Sequence, residues 1–125
     1  MTQARVMIVE DEAITAMATG AMLKRLGHVV TASVSSGEAA LEAFRRQAPD
    51  LVLMDIRLGG DLDGIETAHA LRRDSDVPVV FVSAYVDEKT RSRADATHPF
   101  AFIPKPLDEY DLHALMDRLS GAAAP

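Results

Sequence analysis

Leu51-Val52-Leu53-Met54-Asp55 decides the reading of this chain: four apolar residues run straight into an acid. Pro49-Asp50 bounds the run on one side and a glycine-containing loop bounds it on the other, so it reads as a fully buried strand. Burial ends at Asp55. In an open α/β sheet the carboxyl ends of the strands are where ligands and chemistry sit. A carboxylate there is placed to act as a nucleophile or a metal ligand. An isolated Asp after a strand serves equally well as a helix cap or a loop residue, so its companions elsewhere in the chain must decide.

The same pattern recurs outward from that stretch. Upstream, Arg5-Val6-Met7-Ile8-Val9 is a second apolar strand that ends in Glu10-Asp11-Glu12. Ile14, Met17, Ala21, Met22 and Leu26 then recur at helical spacing over Ala13–Leu26, and Gly27 supplies the stop. His28–Ser33 is β-branched and strand-like. A helix opens at Ser36-Gly37-Glu38 and runs to Gln47, with Leu41 and Phe44 on its buried face. Downstream, Asp63-Gly64 closes the loop after Asp55, and Ile65, Ala68 and Leu71 set a helix over Ile65–Arg73. Pro78–Val82 is a strand that delivers Ser83. Asp87–Thr97 carries six charged residues and has only alanines and a threonine to bury, which predicts the most mobile helix. Phe100–Ile103 is the fifth strand, followed by Pro104-Lys105-Pro106, and a proline there suits a sheet edge. Asp108 caps a last helix to Leu119 with Leu112, Leu115, Met116 and Leu119 inward, and Gly121–Pro125 is expected to trail off.

Strand and helix therefore alternate five times, with connections short enough for right-handed crossovers in one parallel sheet. The expected organisation is a single domain over residues 1–121, with 122–125 as a tail or the start of a linker. Composition agrees: 125 residues, 48% apolar and 26% charged, form one globular unit with room for a core. A net charge of −6 gives no electrostatic footprint for nucleic acid. With no cysteine, disulfides, thiolate metal sites and cysteine nucleophiles are excluded. His28, His69, His98 and His113 lack metal-ligand spacing and read as surface or packing residues. No apolar run approaches a membrane span and no signal-peptide core is present, so the expected location is cytoplasmic.

The residues delivered by the strand ends form a set: Glu10 and Asp11, Asp55, Ser83, and Lys105. Carboxylates crowded together repel, and a hard divalent cation relieves them; an all-oxygen, partly hydrated donor set suits Mg²⁺. A metal with an ammonium and a hydroxyl beside it is equipment for holding phosphoryl oxygens. An Asp carboxylate can then accept the group covalently. Each residue alone says little, but the five together, in this order at strand ends, say a great deal.

Over nearly its whole length the sequence resembles the receiver domains of two-component response regulators. The resemblance is carried by Val9-Glu10-Asp11-Glu12, Leu53-Met54-Asp55, Asp63-Gly64, Val82-Ser83-Ala84 and Lys105-Pro106. It implies a (βα)5 flavodoxin-like sandwich with a parallel sheet of order 2-1-3-4-5. It implies that Asp55 accepts a phosphoryl group from the phosphohistidine of a sensor kinase or histidine phosphotransfer protein. Asp11 would ligate Mg²⁺ directly, Glu10 through water, and the backbone carbonyl of Arg57 would add a ligand. Ser83 would move toward the phosphoryl group, Lys105 would pair with it, and Lys105-Pro106 would be cis. Residue 102 would be the aromatic switch. The surface of helix 87–97, strand 100–104 and helix 108–119 would serve output or homodimerisation.

Three departures from the family pattern stand out. Phe102 occupies the switch position where tyrosine is common, so no hydroxyl is available. The loop before Asp63-Gly64 is one residue longer and carries Gly59-Gly60, which predicts a loose loop. Thr97-His98-Pro99 replaces the usual Gly-Ala before the fifth strand. Among rivals, an aspartyl phosphohydrolase would need a second Asp two residues after the nucleophile, where Arg57 stands. Asp61-Leu62-Asp63-Gly64 lacks the remaining acids of a calcium loop. A flavin module would not carry three acids in its phosphate loop. A degenerate, non-phosphorylated receiver would not be expected to keep all five site residues.

Overall fold

The computed structural model describes residues 3–123. Five strands, β1 (Arg5–Val9), β2 (Val29–Val34), β3 (Leu51–Met54), β4 (Val79–Ser83) and β5 (Ala101–Pro104), alternate with five helices. The helices are α1 (Ala13–Arg25), α2 (Gly37–Arg46), α3 (Gly64–Arg72), α4 (Glu88–Asp95) and α5 (Glu109–Ala123). All strand pairs are parallel and the order is β2-β1-β3-β4-β5. This is the three-layer flavodoxin-like sandwich that the strand pattern implies. α5 continues to Ala123, so Gly121 to Ala123 belong to the helix, not to the expected tail; Ala124 and Pro125 lie outside the described residues.

The two faces of the sheet are built by the strand period of two. Met7 and Val9, Val52 and Met54, and Val79 and Phe81 point to one face, where Ala40, Ile65, Ala68, Leu71 and Ala94 of α2, α3 and α4 cover them. Val6 and Ile8, Leu51 and Leu53, and Val80 point to the other, under Leu23 of α1 and Leu112, Leu115 and Met116 of α5. Each of the four residues of β3 is buried, since helices sit on both faces of this central strand. At the edge, Pro104 is exposed and gives up no central ladder bond.

α1 turns inward only part of the face that spacing suggests: Met22 and Leu26 pack on the core, whereas Ile14 and Met17 do not. Thr19 and Leu23 are its buried residues, while Ile14 and Met17 are 83% and 74% exposed. From Ala13 to Leu23 the helix contains no charge, so its periodicity selects no side, and packing against the sheet does. Two of the departures from the family pattern take a defined local geometry. The Gly59-Gly60 loop is tied down: Gly59 bridges Ser36, and the Asp61 N–H donates to Glu38 at 3.3 Å. Gly60 reaches this path at φ +94°, where a side chain would run into Glu38. In the Thr97-His98-Pro99 turn, His98 takes the left-handed conformation at φ 54° that glycine usually fills after a helix.

Candidate functional site

The sheet ladder runs on past the strands and fixes the site residues by their backbones. The Glu10 N–H donates to Val34 O at 2.9 Å, Asp55 N–H to Val9 O at 2.9 Å, and Lys105 N–H to Ser83 O at 2.8 Å. Because the chain order reverses between β1 and β3, a crevice opens where Glu10 and Asp55 emerge. The loop after Asp55 folds back so closely that a Cβ at position 64 would overlap the Asp55 carbonyl oxygen. Only glycine fits there. Asp63 then starts α3 with a capping box: its carboxylate accepts from Glu66 N–H at 2.8 Å and Glu66 accepts from Asp63 N–H at 2.9 Å.

Oxygens of Glu10, Asp11 and Asp55 all lie within 4.8 Å of one another. Glu10 and Asp55 are buried, and Asp11 is exposed. The Lys105 ammonium sits between the buried pair, 2.6 Å from Glu10 and 3.0 Å from Asp55. Asp55 Oδ1 also accepts from Ser83 Oγ at 3.0 Å and from Arg57 N–H at 3.3 Å. Burial pushes the Glu10 carboxyl above its ordinary pKa, and Asp55 adds to this; the bonds from Lys105 and Glu12 N–H oppose it. Burial pulls the Lys105 ammonium down, but its bonds to Glu10 and Asp55 outweigh that and leave it raised.

All-oxygen donors on one open edge fit a hard divalent cation such as Mg²⁺, and Lys105 supplies the fixed positive charge beside it. The five site residues expected from sequence are thus brought together: Glu10, Asp11, Asp55, Ser83 and Lys105. Lys105-Pro106 is cis, as expected. Phe102 is half-buried against Phe81, with ring centroids 6.2 Å apart. Beneath the acids on the α1 side lies an apolar cavity of about 300 Å³, walled by Ile8, Leu53, Val82, Met22 and Leu107, with Ile14 at its rim.

The response regulator receiver domain family matches residues 6–117. The chain belongs to that family. It is similar over 113 residues, at 35% identity, to a probable transcriptional regulator, ycf27, of Guillardia theta, covering 90% of this chain and 44% of that protein. It is 34% identical over 127 residues to the transcriptional regulatory protein CseB of Streptomyces avermitilis, covering 98% and 53%. Among solved structures, the signal receiver domain of a modulated diguanylate cyclase from Desulfovibrio desulfuricans matches with a TM-score of 0.90 and 32% identity, covering 97% and 96%. The receiver therefore spans about half the length of the curated relatives it matches. As a receiver it is a phosphoacceptor domain and not a turnover enzyme, with an acidic cluster suited to a divalent metal and to Mg²⁺-dependent aspartate phosphorylation. Among its described residues, no helix is long and apolar enough to cross a membrane.

Sequence reasoning missed several of the receiver's site contacts. One is the bond from the Ser83 hydroxyl to Asp55 Oδ1 at 3.0 Å. The Asp63-to-Glu66 spacing, which closes the loop, is also a capping signal readable in the sequence. The stacking of Arg91 on Phe102, at 4.2 Å from guanidinium carbon to ring centroid, joins residues 11 apart with no local signature.

Proposed function

We propose that Asp55 is the residue that accepts the phosphoryl group. One observation carries the reading: the Asp55 carboxylate is held by Lys105 and Ser83 while lying within 4.8 Å of the Glu10 and Asp11 oxygens. In the reaction, an Asp55 oxygen forms a bond to phosphorus as the bond from phosphorus to a histidine nitrogen breaks, and the imidazole leaves. Bound Mg²⁺ supplies charge neutralisation for the phosphoryl oxygens. Glu10 orients the Lys105 ammonium, which stays paired with the transferred group. The Ser83 hydroxyl exchanges its Asp55 partner for a phosphoryl oxygen. The Arg57 carbonyl would be the further metal ligand, and Phe102 is the ring that responds when Ser83 changes partner.

The phosphodonor is a sensor kinase or a histidine phosphotransfer protein, and it docks on α1. Ile14 and Met17 form an exposed apolar patch on an uncharged stretch of helix whose Ile14 lines the same cavity as Asp55. The surface of α4, β5 and α5 serves output or pairing with a second copy. The test is incubation with acetyl phosphate and Mg²⁺, followed by intact mass. Wild type should gain one phosphoryl mass and Asp55→Asn none; equal labelling of the variant would overturn the assignment.

A further inference from the structure

α4 is held to the domain by little apolar surface, since Ala94 is the one buried residue among its eight. Two arginines on this helix reach instead to the two places that phosphorylation would disturb. Arg93 pairs at 3.2 Å with Asp63, the cap residue that starts α3 next to the Asp55 loop. Arg91 lays its guanidinium over the Phe102 ring, and Asp95, one turn on, accepts from Arg91 Nε at 3.4 Å and orients it. Phe102 has no hydroxyl, so what it can offer α4 is the negative face of its ring. A planar guanidinium is the side chain best shaped to use that face.

We propose that Arg91 is the positioning residue that couples Phe102 to α4. The cation–π stack does the work a hydroxyl hydrogen bond would do on a tyrosine. Because little else anchors α4, the ring cannot change rotamer without either carrying the guanidinium along or unseating it. Either way the helix registers the state of the ring. The role rests on the phosphoacceptor reading for its purpose, but the coupling itself is a property of the resting fold.

Two measurements test it separately. The first is amide hydrogen exchange over residues 88–95, without phosphate, in wild type, Arg91→Met, Phe102→Leu and the double variant. A stack worth its usual amount predicts roughly two- to five-fold faster exchange in each single variant. The double variant should be no faster than either single, Arg91→Lys should fall between, and melting of the Arg91 variants should move by no more than about 2 °C. Unchanged exchange, or effects that multiply in the double variant, would overturn the coupling. The second is NMR with beryllofluoride and Mg²⁺. In Arg91→Met the Ser83 and Phe102 signals should move as in wild type, while α4 amides move less than half as far. Full α4 movement in that variant also overturns the proposal. If wild-type Ser83 does not respond at all, the phosphoacceptor reading fails, and the exchange cycle still decides the coupling.

Discussion

Replacing Lys105 and Asp55 in turn should shift stability in opposite directions, and the geometry gives the size of each effect. At 4.8 Å two carboxylates repel by about 3.5 kcal/mol at an effective dielectric near 20, an upper figure for a site with one exposed member. Lys105 attracts Glu10 at 2.6 Å and Asp55 at 3.0 Å by roughly 6 and 5.5 kcal/mol on the same scale. Attraction and repulsion therefore come close to cancelling without metal. Removing the Asp55 charge abolishes two repulsions and one attraction, so Asp55→Asn should stabilise the metal-free fold by about 1 kcal/mol. Lys105→Met leaves two buried carboxylates unpaired and should cost about 3 kcal/mol or more. A metal present at ten times its Kd adds about 1.4 kcal/mol to wild type, or roughly 4 °C in a domain of this size. The assay is thermal melting of the three proteins in chelator and in Mg²⁺. Wild type should respond to Mg²⁺, Asp55→Asn should respond less, and Lys105→Met should be the least stable in chelator. Destabilisation by Asp55→Asn in chelator, together with no Mg²⁺ response in wild type, would refute the picture of one coupled charge cluster.

Gly64→Ala should lose about 1–3 kcal/mol by overpacking against the Asp55 carbonyl, and its Mg²⁺-dependent melting shift should shrink as the Asp55 peptide is displaced. Glu10 has a raised folded pKa, so its favourable contribution is complete below its unfolded value of 4.5 and is lost as pH rises through the folded value. In chelator, Glu10→Gln should accordingly be more stable than wild type at pH 7–8, and the gap should close toward pH 4.5; a gap that widens on acidification would contradict this. At His98, whose φ is 54°, Val should cost about 1–2 kcal/mol. Glycine there should cost nothing or stabilise slightly, and denaturant melts of the two variants would separate the outcomes.

Much of the fold and site was legible because strand periodicity and chain order are one-dimensional signals. Apolar runs that end in Glu10, Asp55, Ser83 and Lys105 put those residues at one sheet edge once the strands are parallel. Ile65, Ala68 and Leu71, and likewise Leu112, Leu115 and Met116, face inward as their spacing requires. The first turns of α1 were not legible, because an uncharged, apolar stretch offers no polar stripe to mark its outer side. Its exposed Ile14 and Met17 are visible only once Thr19 and Leu23 are packed on the sheet. The same holds for contacts that depend on distance in space: Lys105 lies 95 residues from Glu10 in sequence and 2.6 Å away in the fold. The local pattern of the sequence by itself determined which residues reach the edge of the sheet. The tertiary structure alone decided that Glu10 and Asp55 are buried while Asp11 is exposed, that Gly64 must lack a side chain, and that Arg91 covers Phe102. Those are properties of close approach, set by strand order and loop path, and no local pattern of residues encodes them.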